Sequence, residues 1–487
     1  MKKILFTHSY FYRFDPKQWD TKQPYPPLGT IYAAAVMRKA GYDVSLFDTA
    51  LIETPDKILP IIEKQKPDYL VIYDDGFNYL TKMCLTNMRE AAFKMAEIAQ
   101  KKGIKVIASS SDAADHFEKY IAHGVDFVVI GEGEITLKEL IRKIDTGESD
   151  FRNIDGLAFK ENGVITRTSS RQIVTELDSF PMPAWDLIDI PSYKKIWMEN
   201  HGYFSLNIAT TRGCPFKCNW CAKPIYGNRY NSRSPLKVVE EIEFLMNNYQ
   251  VNHFWMCDDI FGLKPGWVQE FRNIVKAKGL KFKYKIQSRV DLLLQEDTIS
   301  ALAESGADTV WVGAESGSQK ILDAMDKGTT VEQIYEATNL LKKNGLRTAF
   351  FLQFGYLGEK KEDIDKTINM VLDLMPEEIG ISVSYPLPGT KFYEKVKEQL
   401  SEKANWADSD ELALMYKGTF SSSYYKKLHR YVHKVYRRKQ SLQNLKSVLG
   451  NPFKANRKKI RSALALGYYS PMSLVESFQL KRLEKTT

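Results

Sequence analysis

The stretch Thr211-Arg-Gly-Cys214-Pro-Phe-Lys-Cys218-Asn-Trp-Cys221 places three cysteines in one short loop, with the spacing Cys-x3-Cys-x2-Cys. Three thiolates this close together can bind three irons of a [4Fe–4S] cluster, and no fourth cysteine lies nearby to bind the last iron. An open iron can hold a small chelating ligand and pass it an electron. A zinc site instead usually takes four ligands in paired Cys or Cys/His groups. The loop therefore predicts a cluster with one free coordination position.

The residues around the cysteines make this pattern more specific. Arg212 and Gly213 precede the first cysteine, and the aromatic Trp220 precedes the last. At these residues the chain resembles the radical S-adenosylmethionine (SAM) superfamily. The resemblance implies that the open iron binds the methionyl amine and carboxylate of SAM, and that reductive cleavage yields a 5′-deoxyadenosyl radical. The alternative, a disulfide or an incidental cysteine group, is disfavoured because the chain has a cytosolic character and only five cysteines.

The composition is that of a globular protein with more than one domain. The 487 residues leave room for two or three domains, and 44% of them are hydrophobic. No run approaches about 18 apolar residues, so we expect no membrane-spanning helix and a cytoplasmic location. The first eight residues read as a buried strand rather than a signal peptide. Cys84 and Cys257 are isolated, and we expect buried apolar side chains rather than ligands there.

Residues 1–145 alternate apolar strands with amphipathic helices. The expected strands are Lys3–His8, Asp43–Asp48, Tyr69–Tyr73, Lys105–Ala108 and Phe127–Ile130, and the expected helices lie near Thr30–Ala40, Pro55–Gln65, Thr86–Lys102, Asp115–His123 and Leu137–Ile144. Five strands interleaved with helices predict an α/β domain with a doubly wound parallel sheet. Ligands of such sheets bind outside the carboxyl ends of the strands. Residues 146–200 read as a connector with a small hairpin at Gly156–Thr168.

Residues 201–395 contain a second alternating series of six strand–helix units. The expected strands are Leu206–Ala209, His253–Cys257, Lys283–Gln287, Thr309–Gly313, Thr348–Phe354 and Ile379–Ser384, and the helices are Pro235–Asn248, Pro265–Lys278, Glu296–Glu304, Ser318–Asp323, Val331–Asn344 and Glu362–Leu374. Periodicity does not separate a partial barrel from a second open sheet. The family resemblance implies the partial (β/α)6 barrel. The cysteine loop follows the first of these strands, where barrel active sites lie.

Small residues follow several strands of the first domain. They occur in Tyr25-Pro-Pro-Leu-Gly29, Ser109-Ser-Ser-Asp112 and Gly131-Glu-Gly-Glu134. Small residues at strand ends let a ligand approach the backbone closely. This order resembles the cobalamin-binding domain that precedes the barrel in one large class of radical SAM enzymes. The resemblance implies that cobalamin contacts Pro27, Leu28, Gly29, Ser109, Ser110, Ser111, Asp112, Gly131, Glu132 and Gly133.

One departure from that resemblance concerns the cobalt ligand. Cobalamin domains that supply a histidine to cobalt carry Asp-x-His-x-x-Gly after the first strand, and the chain lacks this motif. His8 ends the strand, but no Asp stands two residues before it. The implied state is cobalamin with a displaced tail and no protein histidine on cobalt. The alternative is a degenerate domain that no longer binds a cofactor.

SAM requires polar partners at the mouth of the barrel besides the cluster. The candidate SAM-binding residues are Trp220, Asp258, Asp259, Arg289, Glu315, Ser316 and Gln353. Glu315 lies in a segment that resembles the family's SAM contact and would meet the methionyl group or the ribose. Arg289 would pair with the methionyl carboxylate or form a salt bridge across the barrel mouth. Asp258 and Asp259 stand where the family often has Gly-Gly-Glu, and they equally suit the cap of the next turn.

Residues 396–487 read as mainly helical and strongly basic. The segment 424–462 contains thirteen Lys and Arg residues and no Asp or Glu. Its first part has the spacing of a basic amphipathic helix. Such a helix lies on an anionic membrane, meets an acidic partner, or packs on the barrel as a solvated cover. Nucleic-acid binding is disfavoured, because no aromatic stacking module or zinc finger accompanies the charge.

The function implied by the resemblance is an anaerobic enzyme that uses both SAM and cobalamin. It would methylate an unactivated carbon of a small-molecule or lipid-like substrate, through a 5′-deoxyadenosyl radical and methylcobalamin. An external flavodoxin or ferredoxin would supply single electrons. The alternative is a cyclisation or rearrangement, as in the anaerobic magnesium-protoporphyrin ester cyclase of the same class. A methylthiotransferase needs three more amino-terminal cysteines, of which only Cys84 is present. The intact cysteine loop disfavours a non-catalytic cobalamin sensor.

Overall fold

The computed structural model describes residues 1–77, 85–223, 225–400, 412, 414–450 and 456–484, so Cys84 lies outside the described residues. Its strands are β1 Lys3–Thr7, β2 Asp43–Phe47, β3 Tyr69–Tyr73, β4 Lys105–Ser109, β5 Phe127–Val129, β6 Leu157–Glu161, β7 Val164–Arg167, β8 Ser205–Ile208, β9 Thr211–Arg212, β10 Asn231–Ser232, β11 His253–Met256, β12 Lys283–Ser288, β13 Ala307–Glu315, β14 Arg347–Phe354 and β15 Glu378–Val383. Its α-helices are α1 Pro16–Thr21, α2 Leu28–Lys39, α3 Ile58–Gln65, α4 Thr86–Gln100, α5 Ser111–Asp115, α6 Phe117–Ala122, α7 Gly133–Asp145, α8 Ile190–His201, α9 Pro235–Tyr249, α10 Trp267–Ala277, α11 Val290–Leu293, α12 Thr298–Glu304, α13 Gln319–Ala324, α14 Val331–Lys343, α15 Lys361–Leu374, α16 Lys391–Val396, α17 Ser422–Gly450, α18 Arg457–Leu464 and α19 Leu466–Glu484.

The first sheet has the order β2-β1-β3-β4-β5-β6-β7. Its first five strands are parallel, which confirms the predicted doubly wound sheet. All five residues of β3 are buried, because helices cover both faces of a parallel sheet. The strand order reverses beside β1, so the carboxyl ends of β1 and β3 flank the crevice where such sheets bind ligands.

The expected hairpin is present and extends this first sheet. β6 pairs antiparallel with β5, and β7 pairs antiparallel with β6. The turn between them is Asn162-Gly163, and both residues have positive φ, of 50° and 84°. An Asn-Gly pair in this conformation suits the right-handed twist of a two-residue hairpin. Part of the predicted connector therefore belongs to the sheet of the first domain.

The second sheet settles the choice between a partial barrel and an open doubly wound sheet. Its six strands stand in strict sequence order, β8-β11-β12-β13-β14-β15, and every neighbouring pair is parallel. Right-handed crossovers that always step in one direction place all the connecting helices on one face. The other face is then concave, as in a barrel that has not closed. The predicted partial (β/α)6 barrel is confirmed.

The two halves share one apolar core. The same cluster of buried side chains includes Ile31 and Leu137 of the first domain and Leu206 and Val310 of the barrel. A second cluster fills the opposite face of the first sheet. Because the core is continuous, the carboxyl ends of the two sheets are held in a fixed relation to each other.

The carboxyl-terminal region packs on the barrel as a helical cover. Tyr436 of α17 is fully buried, and its hydroxyl donates to the carbonyl oxygens of Pro376 (2.6 Å) and Glu377 (2.8 Å), just before β15. Lys427 and Lys434 of the same helix pair with Glu476 of α19, at 2.9 Å and 2.6 Å. Part of the basic face is therefore neutralised inside the protein. Within the described ranges, no helix has the length and hydropathy needed to cross a membrane.

Candidate active site

The cysteine loop leaves the barrel at the carboxyl end of β8. Gly213 has a φ of +80°, and a side chain there would place its Cβ 2.3 Å from the carbonyl oxygen of Arg229. Only glycine tolerates both the conformation and the contact. The loop then turns so that the amide of Cys221 donates to the carbonyl oxygen of Cys218 at 3.2 Å. The three cysteines thus follow one another around a tight bend at the mouth of the barrel.

The three cysteines are free thiols of intermediate exposure. Burial raises the pKa of Cys214, and it raises the pKa of Cys221 to about 12. Binding of metal therefore has to displace protons from the thiols. In the part of the chain that the structure describes, no three Cys, His, Asp or Glu side chains converge on a single ion. The Cys-x3-Cys-x2-Cys spacing suits a four-iron cluster, in which each thiolate binds a different iron.

A buried ion-pair network fixes the start of the loop to the first domain. Arg212 donates to Glu132, and at 2.8 Å to Glu134, both from the segment that follows β5. The guanidinium lies 4.6 Å from the ring of Phe180 and 5.6 Å from that of Tyr32. Burial raises the pKa of Glu132, and the positive charge of Arg212 opposes that shift. The cluster loop is therefore tied to the loop that was expected to hold cobalamin.

Asn219, which the sequence analysis did not single out, fixes the middle of the loop. Its side-chain amide donates to the carbonyl oxygen of Ala324 at 2.7 Å, and its carbonyl accepts from the hydroxyl of Tyr356 at 2.6 Å. Its backbone amide donates to Met325, and its backbone oxygen accepts from Phe392. Asparagine suits this place because its side chain both donates and accepts. Its position between Cys218 and Cys221 is the one feature of the sequence that could have pointed to this role.

Arg289 approaches the loop from the end of β12. Its guanidinium donates to both oxygens of Asp291 (2.9 Å and 3.0 Å) and to the carbonyl of Lys327 (2.8 Å). It also lies 3.7 Å from the ring centroid of Phe216 and 4.0 Å from the sulfur of Cys218. The structure thus places Arg289 in a salt bridge against the cluster loop.

Glu315 lies at the barrel mouth but is already paired. Its carboxylate accepts from Lys327 at 2.8 Å, and both side chains are buried. Burial alone would lower the pKa of Lys327, but Glu315 reverses the direction and raises it. Glu315 also has a φ of 55°, a strained conformation for a residue other than glycine. The hydroxyl of the neighbouring Ser316 contacts that of Thr367 at 3.1 Å.

Both carboxylate oxygens of Asp258 accept hydrogen bonds from other residues of the protein. One carboxylate oxygen accepts from the amides of Thr210 and Thr211, at 2.7 Å and 2.8 Å, and the other accepts from the Thr210 hydroxyl at 2.6 Å. Burial raises the pKa of Asp258 to about 6, and these donors oppose the shift. These contacts hold the backbone that leads into the cluster loop, instead of capping the turn that follows Asp258. Asp259 is exposed, and its charge helps to raise the pKa of Cys214 and Cys221.

Two of the expected SAM partners carry buried polar atoms that the protein itself does not satisfy. The side-chain oxygen of Gln353 and the indole nitrogen of Trp220 have no hydrogen-bond partner among the described residues. Leaving such a group unpaired costs about 1 to 3 kcal/mol, so a bound ligand is a natural partner. Gln353 is the next-to-last residue of β14, and Trp220 is in the cluster loop. This pair fits a polar ligand at the barrel mouth.

The serine and glycine loops of the first domain meet at the carboxyl edge of its sheet. A side chain at Gly133 would place its Cβ 2.9 Å from both the Ser109 hydroxyl and the Tyr73 ring. Gly131 has a φ of +81°. Glycine at 133 therefore lets the start of α7 pack directly against Ser109 and Tyr73. The serine loop and the glycine loop that were expected to contact cobalamin, here called the cobalamin shelf, therefore lie side by side.

The remaining shelf residues have structural partners. The hydroxyl of Ser110 accepts from the amide of Ala113 and caps α5, next to the buried Ser111. Asp112 pairs with Arg89 and accepts from the Tyr120 hydroxyl at 2.8 Å. The amide of Gly29 donates to Asp75 at 3.0 Å, and the buried Pro27 and Leu28 begin α2. His8 is buried and hydrogen-bonds to Asp48 at 2.9 Å.

Replacing Arg212 with Gln should destabilise the protein strongly. The change leaves Glu132 and Glu134 buried without their cation, which typically costs about 3 to 5 kcal/mol. We expect a large fall in the midpoint of anaerobic thermal unfolding. The combined variant Arg212→Met, Glu132→Gln and Glu134→Gln should recover much of the loss, because it leaves no buried charge. Arg152→Gln, at an exposed ion pair, is the control and should have little effect. An unchanged midpoint in Arg212→Gln would contradict this assignment.

Comparisons with known proteins agree with this geometry. The family model of the radical SAM superfamily matches residues 208–371, which run from β8 into α15. An uncharacterised methyltransferase of Pyrococcus horikoshii is 29% identical over 388 residues, which cover 78% of this chain and 81% of that protein. The anaerobic magnesium-protoporphyrin IX monomethyl ester cyclase of Cereibacter sphaeroides is 27% identical over 77% of this chain. The chain spans only 61% of that cyclase.

Two solved structures share the architecture. The cobalamin-dependent SAM radical enzyme OxsB, with aqua-cobalamin bound, superposes with a TM-score of 0.74 over 99% of this chain and 72% of its own, at 16% identity. The methyltransferase TsrM from Kitasatospora setae, with cobalamin and a [4Fe–4S] cluster bound, gives a TM-score of 0.67 over 82% of this chain and 75% of its own, at 18% identity. At these identities the likeness concerns the fold. Residues 208–371 therefore form a radical SAM domain that carries the cysteine loop, and the chain has the same fold as OxsB and TsrM.

Proposed function

We propose that this protein is a cobalamin-dependent radical SAM methyltransferase that acts on an unactivated carbon. The observation that carries the proposal is the Cys214–Cys221 loop, which is held at the barrel mouth and linked through Arg212 to the shelf of the first domain. An electron carrier and a large flat cofactor would then face each other across one cavity mouth. The methyltransferase name of the Pyrococcus relative supports the same reaction class.

The chain's own residues bind and position the reactants. Cys214, Cys218 and Cys221 would hold three irons, while Asn219 and Arg289 keep their loop in place. Gln353 and Trp220 would satisfy their unpaired polar atoms on SAM. When bound, the cluster supplies the electron for reductive SAM cleavage, and cobalamin supplies methyl-group chemistry. The residues 1–145 would form the cobalamin domain, 146–200 the connector, 201–395 the SAM barrel and 396–487 the helical cover.

A second candidate function is a cyclisation or rearrangement with the same two cofactors. The similarity to the magnesium-protoporphyrin ester cyclase supports it. The fold and the cluster loop serve both reactions equally, so the product of the reaction separates them. In either case the substrate is a small or lipid-like molecule, and single electrons come from an external flavodoxin- or ferredoxin-type reductant.

Replacing Cys214, Cys218 and Cys221 together with Ala should abolish the cluster. We expect anaerobically reconstituted wild-type protein to hold one [4Fe–4S] cluster per chain and to form 5′-deoxyadenosine from SAM under reduction. The triple variant should lack both the iron–sulfur absorbance and the 5′-deoxyadenosine. Cys257→Ala is the matched control, because this buried cysteine lies outside the loop and should leave both intact. A four-iron cluster retained in the triple variant would refute the assignment.

The protein should bind about one cobalamin per chain without a histidine on cobalt. His8 is the histidine at the end of β1, and it is already hydrogen-bonded to Asp48. The electron paramagnetic resonance spectrum of the Co(II) form should therefore lack superhyperfine splitting from an axial nitrogen. His8→Gln should leave that spectrum unchanged. Nitrogen splitting in the wild type that disappears in His8→Gln would show that this ligation is wrong, and failure to bind cobalamin would reduce the first domain to a scaffold.

We also propose peripheral contact between α19 and an anionic membrane. Tyr468, Leu474 and Phe478 point away from the protein, and Leu474 and Phe478 are 65% and 66% exposed. Between residues 422 and 484 the chain has fifteen Lys and Arg residues and two acidic ones. An outward apolar face beside an excess of cations is the pattern of helices that lie on anionic lipid.

Changing Leu474 and Phe478 to Ser should abolish binding to anionic liposomes. The wild type should sediment with anionic vesicles at low salt and be released at high salt, because each surface cation contributes about 1 kcal/mol that salt screens. Val164→Ser, at an equally exposed apolar residue of the hairpin, is the control and should bind as the wild type does. Equal recovery with neutral and anionic vesicles, or none with either, would count against membrane contact.

A further inference from the structure

The side chains of β12 divide between the two faces of the barrel sheet. Tyr284 points toward the outer helices, where its hydroxyl contacts that of Ser305 at 2.7 Å, and Ile286 is fully buried on the same side. Successive side chains of a strand point to opposite faces. Lys285 and Gln287 therefore point to the concave face, which leads up to the carboxyl ends of the strands, where barrels place their active sites.

Lys285 is a partly buried cation without a close counter-charge. Its ammonium lies 5.1 Å from the ring centroid of Tyr25 and 5.3 Å from that of Trp255. Among the described residues it forms no salt bridge, and Glu378 is a carboxylate whose charge acts to raise its pKa. Burial lowers the pKa of Lys285. A cation in such a place gains most from an anionic ligand, because partial burial weakens the screening by water.

A pair of stacked aromatic rings, the Trp311–Phe351 pair, lies on the same concave face as this cation. The rings of Trp311 on β13 and Phe351 on β14 stack at 4.6 Å, and Phe351 is 36% exposed. On β15, Gly380 leaves these rings uncovered, since a Cβ there would lie 3.3 Å from Trp311 and 3.5 Å from Phe351. Exposed stacked rings inside a concave surface are the usual lining of a small-molecule site.

The Trp311–Phe351 pair lies directly below the proposed SAM site along the strands. Gln287 follows Lys285 by two residues, and Gln353 follows Phe351 by two residues, so each pair shares a face of its strand. Two residues of a strand advance by about 6.6 Å. A molecule on the Trp311–Phe351 pair would therefore be within reach of a reactant held by Gln353 and the cluster loop.

We propose that the concave face of the barrel binds a substrate with an apolar body and an anionic oxygen group, and that Lys285 binds the anion. The apolar body lies on Trp311 and Phe351, and the anionic group meets the ammonium between Tyr25 and Trp255. This inference rests on the proposed function, because it names the substrate class of the same site. It assigns Lys285 a binding role that its position in the sequence did not suggest.

Binding of two matched fluorescent probes tests this inference. 1-Pyrenebutyrate has an apolar aromatic body and a carboxylate, and 1-pyrenebutanol has the same body without the charge. On cluster-reconstituted protein we expect the carboxylate probe to bind about tenfold more tightly, since a charge-assisted hydrogen bond contributes to its affinity alone. Lys285→Gln should bring the two affinities to near equality, and Lys285→Arg should restore most of the preference.

Lys283→Gln is the matched control for this experiment. Lys283 is an exposed lysine two residues earlier on the same face of β12, so its loss should leave the preference for pyrenebutyrate intact. Retained cluster absorbance and thermal midpoint in Lys285→Gln would show that the variant folds. Equal binding of both probes to the wild type, or an unchanged preference in Lys285→Gln, would overturn the inference.

The same experiment separates this inference from the proposed function. A wild-type protein that prefers pyrenebutyrate but forms no 5′-deoxyadenosine would refute the radical SAM activity and retain the anion site. A protein that forms 5′-deoxyadenosine but binds both probes equally would retain the activity and refute the anion site.

Discussion

The buried ion pair of Arg212 with Glu132 and Glu134 is the constraint on which the arrangement of the site depends. Three charged groups removed from water are stable only when they face one another in good geometry. That requirement fixes the distance between the cluster loop and the loop after β5. Because the guanidinium is also enclosed by aromatic rings, water cannot easily replace either carboxylate. The first domain and the barrel therefore share one electrostatic contact at their common mouth.

The cluster loop is held from three directions by different parts of the chain. Arg212 ties its start to the first domain, Asn219 ties its middle to the segment after β13, and Arg289 packs on it from β12. Each contact is buried and uses a side chain with several donors. The strained backbone of Glu315, beside Lys327, adds a conformation that only the surrounding packing maintains. These contacts hold the loop without any bound metal.

The sequence was sufficient for the secondary structure and the cluster loop, because both are local patterns. Every strand predicted for the two sheets is present, since alternating and continuous apolar runs report burial directly. Local sequence patterns could not predict the buried ion pairs of the site. Arg212 and Glu132 are 80 residues apart, and nothing in either neighbourhood selects the other. Glu132 was expected at cobalamin and Glu315 at SAM, and the structure pairs Glu132 with Arg212 and Glu315 with Lys327, which lies 12 residues further along the chain.

We propose that one chain holds an iron–sulfur cluster and cobalamin against each other across the Arg212 contact. Pulsed electron paramagnetic resonance on protein that contains both reduced cluster and Co(II) tests it most directly, since magnetic coupling between two spins falls steeply with their separation. We expect a dipolar coupling between the two centres in wild-type protein, and we expect Arg212→Gln to disturb it. Two centres that relax independently, with no coupling in fully loaded wild-type protein, would contradict it.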